Sequence, residues 1–384
     1  MRSTFSTDIL EVARICGMPL TISQGGRHYL TPCWMCSTLS GNGPDKKKVG
    51  HMAIRPDKGV FRCPRCGYSG NAVIMAKDFY GQNYSEVLAR AGHYQGPIIE
   101  ENPIASISKR NEVYLALLKR LVLSPRHRAE LLSRGLDEDT IEFRQYKSTV
   151  GWESSRGVCV SLLKEGYKLE GIPGFFKDRS GNWAFMTLPG FLISSQDNDG
   201  NIQGFQIRVD DQYRKGKETS KYLSFSSSGK PEGCSCGALI HVAVPEGKDL
   251  RNSTVWVTEG PLKADIASRY TGMPFLGVPG VSIYKQAADY ASELGINQTA
   301  VAYDMDIKKN PHVAKAEKAL VQELLAKGIK AVPVNWDEDR GKGIDDAVIN
   351  IYSGEIPIPQ DVLQKTFLPQ YDVVLEVKMR LRIK

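Results

Sequence analysis

The stretch Val255-Trp256-Val257-Thr258-Glu259-Gly260-Pro261 is a short apolar run closed by an acid, a glycine and a proline. An unbroken apolar run of this length is the signature of a strand buried on both faces of a parallel sheet. Pro261 opens a segment whose pattern is helical to Tyr270. Ala300-Val-Ala-Tyr303 reads as the next strand and leads into Asp304-Met305-Asp306. Asn310 and Pro311 form an N-cap and first-turn pair for a helix that runs to Lys327 and stops at Gly328. Ile329 to Trp336 is a further strand. Strand and helix alternate, which predicts an open α/β domain over residues 251–360.

In such sheets, ligands bind outside the carboxyl ends of the strands. Glu259 ends one strand, and Asp304 and Asp306 end another. Hard oxygens there suit Mg²⁺ or Mn²⁺, which take one or two carboxylates and complete their shell with substrate phosphates. Converging like charges demand a cation or a proton.

Upstream, the chain changes character. Residues 150–250 are β-rich and broken by Gly and Ser. Phe205, Ile207 and Val209 alternate with Gln206 and Arg208, so Arg208 is expected on the outer face of a strand. A basic loop with Arg214, Lys215 and Lys217 follows, then Lys221-Tyr222-Leu223. From Asn111 to Tyr146 the spacing is helical, with Leu115, Leu118, Leu121 and Val122 on one stripe. Residues 96–110 carry two prolines and no periodicity, and read as a linker.

Residues 1–95 form a small unit of their own. Cys33-Trp34-Met35-Cys36 and Cys63-Pro64-Arg65-Cys66 are two CxxC knuckles, the ligand set of a structural Zn²⁺. Between them, His51 becomes a ligand only by displacing a cysteine. Asn71 to Tyr80 and Ser85 to Ala91 read as helices, with Ser85 as N-cap of the second. Arg62 and Arg65 lie close to Phe61 and Tyr68, and basic residues interleaved with aromatics suit phosphates and unstacked bases. Cys234-Ser235-Cys236, with His241 nearby, reads as a turn with reduced cysteines rather than a second metal site.

Composition narrows the function classes. The 384 residues allow two or three domains. The net charge of +7 mildly favours an anionic partner. No apolar run reaches membrane-spanning length, and the N-terminus lacks the apolar core of a secretory signal. Paired cysteines without those features point to the cytoplasm and to metal rather than disulfides. No GxxxxGK[ST] motif occurs, so the sequence shows no sign of a P-loop motor; if the protein works at a replication fork, the helicase is expected on a separate chain.

The run from Val60 to Ile74, followed by Tyr84 to Ala91, resembles the zinc-binding domain of bacterial DnaG-type and phage or plasmid DNA primases, in the all-cysteine version. Glu259, Asp304-x-Asp306 and Lys342 to Asp346 resemble the motifs of the Toprim fold those primases carry. Two positions depart from the family pattern: Lys263 stands where an acid is usual, and so does Gly343. The segment from Trp183 to Arg208 with Ser220 to Ser224, and the lead-in Leu132-Ser133-Arg134-Gly135-Leu136, resemble the basic subdomain that precedes Toprim, here over residues 111–250.

The resemblance implies a multidomain α/β chain: a zinc ribbon with helices, an α+β basic subdomain, a Rossmann-like Toprim domain and a tail from 361. It implies primer synthesis on single-stranded DNA from nucleoside triphosphates, with Arg62, Arg65, Arg208 and Lys221 on nucleic acid. Glu259, Asp304, Asp306 and Asp345 would hold Mg²⁺ or Mn²⁺. Glu259 as general acid or base stays open. A non-catalytic DNA-binding mediator similar to RecR, or a Toprim nuclease, is the alternative; the two departures favour the mediator, and the basic subdomain and the length disfavour it.

Overall fold

The computed structural model describes residues 7–23, 28–35, 50–64, 67–93, 102–214, 220–305, 311–371 and 374. They belong to two units, Met1–Glu100 and Glu101–Lys384.

In the first unit, Asp8 caps α1 (Ile9–Ile15), its carboxylate accepting from Leu10 N at 2.9 Å and Glu11 N at 3.3 Å. Five short antiparallel strands follow in the order of the chain: β1 (Thr21–Ile22), β2 (Tyr29–Thr31), β3 (Met52–Arg55), β4 (Val60–Arg62) and β5 (Ser69–Asn71). Asn71 then caps α2 (Ala72–Tyr80), accepting from Ile74 N at 3.1 Å. The last helix, α3 (Tyr84–Ala91), begins one residue before its expected cap, with Asn83 at the cap position. Ile9, Val12, Met52, Ile54, Phe61, Met75 and Ala76 form the core of this unit.

The second unit begins before its first helix. Asn102 N donates to Gly233 O at 3.1 Å and Ala105 N to Gly171 O at 2.8 Å. The linker expected over 96–110 is therefore already stitched down by Asn102, because its backbone groups find partners in neighbouring loops. Ser106 caps α4 (Ile107–Leu118). The helical spacing to Tyr146 resolves into α4 and two further helices, α5 (Pro125–Ser133) and α6 (Glu138–Phe143), since Ser124 and Asp137 each restart the helix as a side-chain cap. Val122 of the expected stripe falls in the break and is exposed.

Next come β6 (Lys147–Ser148), α7 (Trp152–Lys164), the hairpin β7 (Phe175–Lys177) and β8 (Trp183–Phe185), then β9 (Gly190–Gln196), β10 (Ile202–Val209) and β11 (Tyr222–Ser224). An antiparallel sheet forms in the order β11-β10-β9-β6. Tyr114, Phe175, Phe185, Phe205 and Phe225 pack into one aromatic core beneath it.

The remaining elements are β12 (His241–Ala243), β13 (Thr254–Glu259), α8 (Pro261–Thr271), β14 (Phe275–Val278), α9 (Tyr284–Glu293), β15 (Gln298–Val301), α10 (Pro311–Ala326), β16 (Lys330–Asn335), α11 (Ile344–Ile351), α12 (Gln360–Thr366) and β17 (Leu368–Pro369). Their sheet has the order β12-β14-β13-β15-β16-β17. The four inner strands are parallel, and β12 and β17 pair antiparallel on the two edges. Two expected boundaries move as a result. The sheet already recruits residue 241, ahead of 251, and the segment assigned to a tail from 361 supplies α12 and an edge strand. Val255 and Val257 pack toward α9 and α10 on one face, while Trp256 joins α8, α11 and α12 on the other. Burial on both faces is why this strand reads as a continuous apolar run.

Candidate active site and metal centre

The metal centre of the first unit grows out of strand register. Thr31 of β2 pairs with Met52 of β3, and Ala53 of β3 pairs with Arg62 of β4. Cys33, His51 and Cys63 lie just beyond these pairs, at one end of three adjacent strands. Their ligand atoms all lie within 4.8 Å of one another. Two sulfurs and an imidazole nitrogen are a donor set that suits zinc. Cys36 and Cys66 lie outside the described residues, as does Arg65. The sequence assigned His51 no place unless a cysteine was displaced; the structure seats it beside two of the thiols. Its position at the β2–β3 end was the missing signal. Cys63 N donates to Tyr68 O at 2.7 Å and Gly67 N to Cys63 O at 2.9 Å, which shapes the turn of the second knuckle.

The aromatics near the knuckles pack against each other. Trp34 lies 5.1 Å from Phe61 and 5.1 Å from Phe79, ring centre to ring centre. Trp34 and Tyr68 both donate to Asp78. Phe61 is buried, so it holds the core together instead of offering a face to a base. Arg62 stays exposed on β4.

The second centre lies at the carboxyl ends of β13 and β15. Trp256 pairs with Ala300 and Val257 with Val301, a register that carries Glu259 level with Tyr303. Asp304 follows immediately. Met305 N donates to Lys342 O at 2.8 Å, which brings the turn at Lys342 and the start of α11 alongside. Asp306 lies outside the described residues.

The ammonium of Lys263, on the first turn of α8, pairs with Asp304 Oδ1. Lys342 Nζ stands 3.6 Å from Asp304 Oδ2. Burial pulls the Lys263 pKa down, but Asp304, Asp345 and Glu259 outweigh it and hold the ammonium above the usual lysine value. Among the described residues, Cys33, His51 and Cys63 are the one group of three metal-capable side chains with mutually close ligand atoms. Glu259, Asp304 and Asp345 do not form such a cage; a lysine stands among them. The donor chemistry still fits a hard ion, because two strand-end carboxylates suffice when phosphates supply the other ligands.

Asp345 opens α11 and is buried. Arg134 reaches it at 3.1 Å and also donates to Tyr222 Oη at 3.0 Å. Arg134 follows α5, where Gly135 takes a φ of 86° and a Cβ would come 2.8 Å from Ile349 Cδ1. That tight approach seats Arg134 against Asp345, and the sequence reading did not single it out. A cleft of about 490 Å³ lies here, lined by Glu130, Ser133, Arg134, Lys221, Asp345 and Asp346 among others. Burial, then Arg208 and Arg134, lower the Lys221 pKa, which marks three cations gathered on one side.

Arg208 departs from its expected place. It is buried, 3.0 Å from Asp211 Oδ2 and 3.3 Å from Glu130 Oε1, with its guanidinium over the Tyr222 ring. Alternation along β10 gives the face correctly, but α5 and the 211–213 turn cover that face. Asp265, two positions beyond Lys263, turns into the core. It accepts from Tyr146 Oη at 2.6 Å and meets Arg144 at 2.8 Å and His241 Nε2 at 2.9 Å. Gln196 N donates to His241 Nδ1, so the Nε2 proton points at Asp265. His241 is thereby committed to Asp265 and is turned from a metal role with Cys234 and Cys236.

Residues 248–353 match a family model described as a domain of unknown function, DUF3854. A DNA primase from Aquifex aeolicus (strain VF5) is 23% identical over 206 residues, covering 51% of this chain and 38% of that protein. The chain thus spans well under half the length of the curated relative it matches. The crystal structure of a DNA primase domain from Pseudomonas aeruginosa superposes with a TM-score of 0.52 at 15% identity, covering 70% of this chain and 82% of that one. The Aquifex aeolicus primase zinc-binding and RNA polymerase domains cover 97% of this chain and 88% of theirs, at 17% identity and a TM-score of 0.48. The multidomain α/β chain is similar in sequence to a DNA primase and shares the fold of a primase domain.

Proposed function

We propose that this chain is a primase that synthesises short primers on single-stranded DNA from nucleoside triphosphates. The observation that carries the reading is the cleft in which Lys221 and Arg134 face Asp345, beside the strand ends that bear Glu259 and Asp304. Cations on one wall suit the phosphates of template and primer, and carboxylates on the other suit a triphosphate with its divalent ion. The sequence similarity to a DNA primase points the same way.

In the reaction, the primer 3′-hydroxyl gives up its proton to solvent and its oxygen forms a bond to the α-phosphorus of the incoming nucleotide. The bond to the bridging oxygen breaks, and pyrophosphate leaves with that electron pair. Bound Mg²⁺ or Mn²⁺ supplies Lewis acidity and lowers the hydroxyl pKa. Glu259 and Asp304 would hold that ion, with Asp306 and Asp345 as further candidates. Lys221 and Arg134 would orient phosphates, and Arg208 would brace the Tyr222 ring behind them. Zinc on the cysteine-rich end of the first unit would stiffen a template-binding module that presents Arg62, with Arg65 in the same role. A helicase acting with it is expected on a separate chain, and the setting is the cytoplasm.

The test is incubation with varied single-stranded templates, labelled nucleotides and Mg²⁺ or Mn²⁺. Short complementary oligomers are expected, reduced about a hundredfold or more by Asp304→Ala. Lys263 among the carboxylates favours one second reading, a DNA-binding mediator without catalysis. Tight DNA binding with no incorporation on any template would select it.

A further inference from the structure

The seat of Lys263 has a feature that simple ion pairing does not explain. Gly343 lies beside it: a Cβ there would stand 2.9 Å from Lys263 Nζ and overlap Asp345 Oδ1. A side chain at 343 would press on the ammonium and on the Asp345 carboxylate in the positions they now take. Asp345 Oδ1 is buried and finds no hydrogen-bond partner among the described residues, while its Oδ2 meets Arg134. Asp304 is paired on both oxygens, by Lys263 and Lys342. The lysine stem runs from α8, whose first turn follows Glu259 directly. One fixed positive charge thus serves the acids of β13, β15 and α11 together.

Resting on the reading of this pole as a divalent-ion site, we propose that Lys263 is a built-in cation that takes the place of one divalent ion at the strand ends. Lys263 and Gly343 then act as one paired device, a charge and the room for it. Lys263 is a positioning residue: it fixes Asp304 and leaves the outer oxygens to a single exchangeable ion. Replacing the ammonium with a carboxylate removes a charge of one sign and supplies a ligand of the other.

The experiment is a Mn²⁺ titration of the full, zinc-loaded chain followed by electron paramagnetic resonance, for wild type, Lys263→Glu and Lys263→Met. Lys263→Glu is expected to bind one more Mn²⁺ than wild type. Lys263→Met is expected to bind Mn²⁺ about tenfold tighter through loss of the nearby charge. Unchanged stoichiometry in Lys263→Glu, or unchanged affinity in Lys263→Met should the first variant not fold, overturns the proposal. Primer synthesis is measured on the same samples. An extra ion without any primers sinks the polymerase reading and keeps the lysine's role; primers without the extra ion do the reverse.

Discussion

Glu317 on α10 is where burial and ionisation conflict most openly. Its side chain is 2% exposed, and Oε1 has no hydrogen-bond partner among the described residues. Burial pushes its carboxyl up to about 8. Below the ordinary value of 4.5, folded and unfolded states both hold the proton, and the group is neutral to stability. As pH rises from there, the unfolded chain ionises while the folded one keeps its proton. Stability falls through this window and levels off above about 8. Glu317→Gln should therefore raise the melting temperature at pH 8 and leave it nearly unchanged at pH 4.5, read by calorimetry at both pH values.

Asp265 presents the opposite case. Burial works against its charge, but Arg144 and His241 outweigh it and hold the carboxyl below the usual range. Asp265→Ala strands the buried Arg144 guanidinium and leaves the His241 Nε2–H without its acceptor, and should cost about 3–5 kcal/mol in urea unfolding. Neither role was legible from the sequence. Glu317 and Asp265 each sit in an ordinary helical pattern. Type and spacing do not reveal what a neighbouring element lays across a face, which also hid Arg208 beneath α5.

At the level of elements, the inner parallel strands and the helices from Pro261 and Pro311 were readable, because burial on both faces and caps leave strong local marks. The edge strands β12 and β17 were not. Three and two residues carry no measurable period, and their pairing comes from open sheet edges far away in the chain. The same limit applies to His51, which joins Cys33 and Cys63 through strand register alone. Zinc held at those strand ends predicts a local collapse on its removal. Chelation, or Cys63→Ser, should abolish amide protection in β2–β4 while leaving β13–β16 protected, as hydrogen-exchange mass spectrometry would resolve. Equal loss in both sheets would contradict a metal role confined to the first unit.

For the whole molecule, the net charge of +7 says little about where charge gathers. Folding puts Arg134 and Lys221 in a cleft with Asp345, and buries Arg208 near Lys221. Lys221 was marked by its motif, whereas Arg134 needed the turn at Gly135 to bring it within 3.1 Å of Asp345. If Lys221 meets a template phosphate, Lys221→Gln should weaken single-stranded DNA binding on every sequence alike. It should also flatten the slope of log affinity against log salt by about 0.7. An unchanged slope would take Lys221 off the backbone.

The central claim is that this cleft and its strand-end carboxylates copy a template. Its most direct test is sequencing, by mass spectrometry, the oligomers made on a defined single strand by wild type and by Asp304→Asn. Wild type should yield short products complementary to the template, and the variant almost none. Products unrelated to the template, equal products from Asp304→Asn, or no product from wild type on any template with either ion would contradict the account.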